Sequence, residues 1–104
     1  MVGDLSLDVA HRRVNRGARE IDLSPRELDL LQVFMENPAR VFSRTELCQQ
    51  VWRRKDDDDT RIVEMFIARL RKKVDTRADP PLIHTVRGVG YCVSAQPSDF
   101  DHAS

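Results

Sequence analysis

The stretch that decides the fold is RIVEMFIARLRKKVD, residues 61–75. Its apolar residues recur at the spacing of one helical face, at Val63, Ile67, Leu70 and Val74. The opposite face carries Arg61, Met65, Ala68, Arg69 and Lys72, with Arg71 and Lys73 at its two borders. Only Glu64 interrupts the positive charge, although mixed Glu–Lys pairs would stabilise a helix that merely faced solvent. The stretch therefore predicts a helix with one face on a core and the other toward an anionic partner.

The charge of the whole chain is balanced, but it is distributed unevenly along the sequence. The 104 residues include 17 Lys and Arg and 17 Asp and Glu. Residues 60–91 carry seven basic and three acidic side chains, whereas residues 1–59 carry ten basic and twelve acidic ones. Because local charge governs local binding, the neutral total does not argue against nucleic acid as a partner. The length suits one domain with one core, and no apolar run is long enough to predict a membrane span.

Two further helices are predicted from their capping signals. Ser24-Pro25-Arg26-Glu27 places a serine at the N-cap, a proline at N1 and a glutamate at N3, and Asn37-Pro38 ends this helix. Ser43-Arg44-Thr45-Glu46 repeats the capping box and predicts a second helix that runs to about Trp52. The third helix is expected from Arg61 to about Asp75, capped by Asp59 or Thr60.

Strands are predicted at both ends of the chain. Leu5, Leu7 and Val9 alternate with polar residues, as do Ile21 and Leu23, and a middle strand through Val14 ends at the turn Asn15–Gly17. Residues 82–86 and 91–93 form a second pair, joined by Arg87-Gly88-Val89-Gly90, which predicts a β-hairpin that projects an arginine. In this hairpin His84 alternates with Ile83, so His84 is expected to face solvent. Cys48 and Cys92 are interpreted as ordinary core thiols.

The predicted architecture suits double-stranded DNA. The second and third helices can form a helix-turn-helix pair, and the outer face of the third helix can enter the major groove. Arginine can donate to guanine O6 and N7 together in that groove. The glycine-flanked Arg87 suits an adjacent narrow minor groove, where the potential is most negative.

Three segments together resemble the DNA-binding domain of the OmpR/PhoB family of two-component response regulators. They are LSPRELDLLQVFMENPARVFSRTELCQQVW at 23–52, DTRIVEMFIARLRKKVD at 59–75 and IHTVRGVGY at 83–91. The pattern R-x-V-[DE]-x-x-I-x-R-L-R-x-K followed by TVRGxGY is highly specific as a pair, and the resemblance covers about residues 5–95. It implies an α+β fold: a winged helix-turn-helix with an N-terminal antiparallel β-sheet (four-stranded in the family), three helices and a C-terminal β-hairpin wing.

The resemblance also implies roles for individual residues in binding promoter DNA. Arg69 would be the main base reader, and Arg61 and Arg71 would engage phosphates or neighbouring bases. Lys72 and Lys73 are expected to contact phosphates. Arg44 and Trp52 would contact the DNA backbone. Thr85 would contact a phosphate, and Arg87 would enter the minor groove. Tyr91 would either stabilise the base of the wing or contact a phosphate.

Two positions depart from the family pattern. Phe66 stands where a polar residue or a histidine often meets the DNA backbone, and Ala68 stands where an arginine can. Met65 or Ala68 could instead contact a thymine methyl group.

The resemblance further implies that the chain is one part of a longer regulator of bacterial transcription. We expect residues 1–96 to be the effector domain and 97–104 a disordered tail. The phosphorelay from a cognate histidine kinase would act on a receiver domain that 104 residues cannot also hold, and the effector domains would then bind direct-repeat half-sites about one helical turn apart. The 53–59 loop could face RNA polymerase. A cytoplasmic location with no membrane partner is expected.

Other classes of function are less well supported by the sequence. The main alternative is a winged-helix protein–protein interaction module that uses the basic helix as a partner surface. An enzyme is not expected, because His11, His84 and His102 are dispersed and neither cysteine has an evident base. No metal or other cofactor is expected, because Asp56–Asp59 lacks the alternating spacing and the glycine of a calcium loop and His and Cys ligands are not clustered.

Overall fold

In the computed structural model, which describes residues 2–53, 60–76 and 80–95, those residues form five strands and three helices in the predicted order. The strands are β1 (Leu5–Asp8), β2 (Arg13–Arg16), β3 (Arg19–Ile21), β4 (Ile83–Val86) and β5 (Gly90–Val93). The helices are α1 (Pro25–Glu36), α2 (Arg44–Val51) and α3 (Arg61–Val74). The α+β fold with a terminal sheet, three helices and a hairpin is confirmed. The expected tail at 97–104 and most of the 53–59 loop lie outside the described residues.

The N-terminal sheet is antiparallel and has the order β1-β2-β3. Val14 lies opposite Leu7 on one side and Ile21 on the other, and alternate residues of the sheet turn inward to the helices. The four strands of the family are not all present in the described N-terminal residues, where Val2 forms only an isolated bridge to Leu5. Val9 does not continue β1 as predicted: it lies in the turn before β2 and is 49% exposed.

Both capping boxes form as predicted. The Ser24 hydroxyl accepts from the backbone N–H of Glu27, whose carboxylate accepts from the backbone N–H of Ser24 at 2.9 Å. Ser43 and Glu46 make the same reciprocal pair at the start of α2. At α3 the N-cap is Thr60, but its side chain makes no capping hydrogen bond, and the alternative cap Asp59 lies outside the described residues.

The core lies between the three helices and the two sheets. Phe34 of α1 meets Phe42 edge to face with ring centroids 5.8 Å apart, and both rings are fully buried. Cys48 and Cys92 are buried in the core, as expected, and burial raises the pKa of Cys92 to about 11. None of the helices in the described ranges has the length and apolar character needed to cross a membrane.

The hairpin of β4 and β5 is attached to the linker between α1 and α2. Phe42 and Tyr91 exchange two backbone hydrogen bonds of 2.8 and 2.9 Å, and the Ala39 N–H donates to the Val93 carbonyl at 2.9 Å. Gly90 permits this close approach, because a Cβ there would lie 1.9 Å from the Phe42 carbonyl oxygen. The base of the wing is therefore fixed to the helical core, and the turn 87–89 extends beyond it.

One expectation for the wing is wrong. Alternation predicts that His84 faces solvent, but His84 is only 6% exposed, and its Nε2 lies 2.9 Å from the Ser94 carbonyl oxygen. The adjacent Ile83 is also buried, so β4 is covered on both faces at this point. Alternation assigns one face to solvent only where a strand has an open face, which this strand lacks at its base.

Candidate nucleic-acid interface

The two faces of α3 have the environments that its sequence predicts. Val63, Ile67, Leu70 and Val74 are at most 2% exposed and pack into the core. The outward face consists of exposed residues: Arg61, Met65, Ala68, Arg69 and Lys72. Met65 is 52% exposed and is the largest apolar side chain on this face. The helix therefore presents a cationic surface with an apolar centre.

Arg69 is in contact with an aromatic pair that connects α3 to α2. Its guanidinium carbon lies 5.0 Å from the centroid of the Phe66 ring, within the range of a cation–π interaction. The Phe66 ring in turn meets Trp52, the C-cap of α2, nearly edge to face at 5.1 Å between centroids. Phe66 and Trp52 are both half-buried. Neither ring faces solvent fully, so both help to hold the two helices together.

Arg44, at the start of α2, is joined to α3 through a salt bridge with Glu64. Both side chains are about half exposed, at 50% and 46%. Arg44 also lines a cleft formed mainly by the wing residues 85–91. Burial, and then the Glu64 carboxylate, raise the pKa of the Tyr91 phenol in this cleft, although Arg44 and Arg71 oppose them. A tyrosine phenol is protonated at neutral pH even without this shift, so Tyr91 can donate a hydrogen bond.

Arg71 connects α3 to the wing. Its Nη2 donates to the Thr85 hydroxyl, and its Nε lies 3.4 Å from the Ile83 carbonyl oxygen. Thr85 is exposed, and so is Arg87 in the turn beyond it. Because the two elements are tied together, the outer face of α3 and the wing belong to one surface.

The two adjacent lysines of α3 have different surroundings. Lys72 is exposed on the outward face. Lys73 donates to the Glu27 carboxylate of α1 at 2.7 Å, and Glu27 is only 3% exposed. A phosphate contact by Lys73 would therefore compete with this buried ion pair, whereas a contact by Lys72 would not.

Sequence reasoning missed three functional or structural partners in this region. It treats Glu64 only as an interruption of the positive charge of α3, and Glu27 only as part of a capping box. It does not single out Arg16, whose side chain is 1% exposed. A signal for Arg16 exists, because it lies two residues after the buried Val14 in the same strand and must share its inward direction. The partners of Glu64 and Glu27 lie on other helices, where local sequence gives no comparable signal.

This arrangement defines a winged helix-turn-helix domain, in which α2 and α3 form the helix pair and β4–β5 the wing. Within the described residues, no group of three or more His, Cys, Asp or Glu side chains is arranged so that it could hold a metal ion. The family described as "Transcriptional regulatory protein, C terminal" matches residues 18–93. The chain belongs to this family, the DNA-binding effector domains of OmpR/PhoB-type response regulators.

Individual relatives agree with that membership. The chain is 49% identical over 90 residues to the transcriptional regulatory protein TrcR of Mycobacterium tuberculosis, covering 86% of this chain and 35% of the relative. It is 42% identical over 94 residues to the response regulator MprA of Mycobacterium ulcerans, covering 90% of this chain and 40% of the relative. The chain thus spans less than half the length of these curated relatives.

Two solved structures have the same fold. One is the RstA DNA-binding domain of Klebsiella pneumoniae in complex with the RstA box, with a TM-score of 0.80 and 29% identity over 90% of this chain and 94% of that one. The other is the response regulator DrrB, a Thermotoga maritima OmpR/PhoB homologue, with a TM-score of 0.76 and 32% identity over 89% of this chain and 42% of that one.

Proposed function

We propose that this domain recognises a specific sequence of double-stranded promoter DNA, with α3 in the major groove and the wing in the adjacent minor groove. The observation that carries the proposal is that Arg69 and Lys72 on α3 and Arg87 on the wing are all exposed, on two elements that the Arg71–Thr85 hydrogen bond joins. The opposite side of α3 is buried in the core, so only the outward face of α3 can enter a groove of the DNA. The similar RstA domain, whose structure is of a complex with the RstA box, supports double-stranded DNA as the partner.

In this proposal Arg69 reads a base edge, and Met65 and Ala68 are placed to meet thymine methyl groups. Arg61 and Lys72 contact phosphates beside them. Arg44 now pairs with Glu64, and Arg71 donates to Thr85. On binding, each arginine donates to a phosphate oxygen, either in place of its present partner or in addition to it. Thr85 and Tyr91 supply hydroxyl donors at the base of the wing, and Arg87 enters the minor groove. Trp52 and Phe66 are in contact with each other, and Phe66 also contacts Arg69. A phosphate contact by Lys73 would require its release from Glu27.

For the longer protein we propose a cytoplasmic bacterial regulator in which phosphorylation of a receiver domain by a histidine kinase pairs two effector domains on direct repeats. The relatives named as response regulators support this assignment. Contact with RNA polymerase through the 53–59 segment is part of the same proposal, and most of that segment lies outside the described residues.

The test is selection of bound duplexes from a random pool by the 104-residue chain. We expect a single enriched motif, and expect pools selected at high protein concentration to contain two copies about 10–11 base pairs apart. The triple variant Arg69→Ala, Lys72→Ala, Arg87→Ala serves as the matched control, and it should enrich no motif. If the wild-type chain enriches no motif while remaining folded, the proposal is wrong, and the same surface would then be assigned to a protein partner.

A further inference from the structure

The side chain proposed to read the DNA is in contact with an aromatic ring before any DNA is present. The Arg69 guanidinium carbon is 5.0 Å from the centroid of Phe66, three residues earlier on the same helix. The pair lies at the i, i+3 spacing that brings neighbouring side chains of a helix together. A cation–π contact attracts the charge of the guanidinium and leaves its N–H donors available for guanine O6 and N7.

The Phe66 ring is itself held from a second helix. Trp52 contacts it with centroids 5.1 Å apart and planes inclined at 77°. Trp52 is the C-cap of α2, so the ring is fixed between the two members of the helix-turn-helix pair. An exposed arginine otherwise samples many rotamers, and this freedom is lost when it binds a base. Contact with a ring that is packed against a second helix restricts Arg69 before binding and therefore lowers the entropy that Arg69 loses on binding.

We propose that Phe66 is a positioning and specificity-determining residue that holds Arg69 toward the major groove, with Trp52 as its support. This inference rests on the proposed function, because it assigns to Phe66 a part in sequence reading. Phe66 occupies a position where the family pattern leads one to expect a phosphate-binding residue. In this chain Phe66 instead orients Arg69. A contact with the DNA backbone at position 66 is thus replaced by a better-oriented contact between Arg69 and a base.

The experiment is a double-mutant cycle on the 104-residue chain with duplexes selected by the wild-type chain. The variants are Phe66→Leu, Arg69→Ala and the combination, and Phe66→Tyr is the matched control that keeps the ring. Dissociation constants are measured by fluorescence anisotropy on the selected duplex and on duplexes with each position changed in turn. Thermal unfolding of each variant verifies folding, and the NMR shifts of the Arg69 side-chain protons in the free protein report the ring current of Phe66.

We expect Phe66→Leu to weaken binding to the selected duplex by about two- to five-fold, because an Arg69 side chain that is not held beforehand must be ordered when it binds the base. The loss should be concentrated at the base pair whose recognition Arg69→Ala also removes, and it should vanish in the Arg69→Ala background. Phe66→Tyr keeps the ring, so it should retain the wild-type discrimination at that base pair. The ring-current shift of Arg69 should disappear in Phe66→Leu and persist in Phe66→Tyr.

A merely structural role for Phe66 gives a different pattern. In that case Phe66→Leu would weaken binding to all duplexes alike, by the same factor with or without Arg69, and the inference would be overturned. An unchanged Arg69 shift in Phe66→Leu would overturn it as well. If the wild-type chain selected no duplex at all, the proposed function would fail and this inference with it, whereas a selected site with additive effects would overturn the inference alone.

Discussion

Arg16 and Asp75 form a salt bridge of 2.9 Å inside the domain, with side chains that are only 1% and 9% exposed. The Arg16 guanidinium also donates to the carbonyl oxygens of Val74 and Pro80, and to Asp4. The Asp75 carboxylate accepts from the backbone N–H groups of the residues at the start of β4, at 3.0 and 3.1 Å. The pair therefore connects the N-terminal sheet, the C-terminal end of α3 and the first strand of the wing.

Replacing Arg16 should be strongly destabilising, because it leaves the Asp75 carboxylate without its buried counter-charge and removes one of the two donors to the Val74 carbonyl. We expect Arg16→Met to lower the free energy of unfolding by about 3–5 kcal/mol, as measured in urea. The matched control is Arg13→Met, an exposed arginine on the same strand, which should change stability by about 0.5 kcal/mol or less. A loss below about 1 kcal/mol for Arg16→Met would contradict the structural role given to this bridge.

The Glu27–Lys73 pair should make stability depend on pH. Burial opposes the charged form of Glu27, but hydrogen bonds from Lys73 and Ser24 outweigh it, so the pKa lies below its ordinary value of 4.5. Because the folded pKa is the lower one, the stabilisation is complete above the unfolded pKa and is lost as pH falls through the folded pKa. Stability should therefore decrease below about pH 4.5, as followed by thermal unfolding at a series of pH values.

Glu27→Gln isolates this contribution, because glutamine can still complete the capping box. We expect it to cost about 1–3 kcal/mol at pH 7 and to flatten the acid dependence relative to the wild type. Glu46→Gln is the control on α2, where the glutamate pairs with the exposed Arg40 and the expected cost is about 0.2–1 kcal/mol. Equal costs in the two variants, or an unchanged acid dependence in Glu27→Gln, would contradict the assignment.

Arg69→Ala should weaken binding to the selected duplex by about 1–3 kcal/mol and reduce discrimination at one base pair. The reason is that the outward guanidinium is proposed to donate twice to a guanine. Binding to a panel of single-base variants of the site measures both effects. Unchanged affinity together with unchanged sequence preference would remove Arg69 from the reader role.

The neighbouring lysines should separate electrostatic binding from stability. Lys72→Ala is expected to weaken binding to all sequences alike and to reduce the slope of log affinity against log salt by about one. Lys73→Ala is the matched comparison: it should lower stability through the loss of the Glu27 contact and leave the slope nearly unchanged. Titrations over a series of salt concentrations measure the slopes. A reduced slope for Lys73→Ala would show that its amine leaves Glu27 and contacts a phosphate.

The two wing glycines should respond differently to alanine. At Gly90 an added Cβ would overlap the backbone of Phe42, so the strand must separate from the α1–α2 linker. We expect Gly90→Ala to cost more than about 3 kcal/mol in urea unfolding, beyond ordinary overpacking. Gly88 has φ of +75° and open space around its Cβ position, so Gly88→Ala should cost only about 1–2 kcal/mol. Equal effects would mean that the backbone approach at Gly90 is not retained.

Much of the local structure could be predicted because it depends on residues close together in the chain. Capping boxes at Ser24 and Ser43 are decided within four residues, and the inward stripe of α3 follows from helical periodicity alone. The outward face of α3 follows from the same periodicity, since it is the side that the apolar stripe leaves open. The glycines around Arg87 indicate the hairpin in a similarly local way. The failure at His84 came from a strand that is covered on both faces, which alternation cannot reveal.

By itself, then, the sequence determined the element order, the two faces of α3 and the projecting wing, because these depend on short-range spacing. Only the tertiary structure decided which charged side chains stay exposed and which are paired inside the domain. Arg16 meets Asp75 across 59 positions, and Lys73 meets Glu27 across 46. Such pairs form because packing brings distant segments together and because a buried charge needs a counter-charge. The local sequence around these residues indicates neither which segments pack together nor which charges become buried.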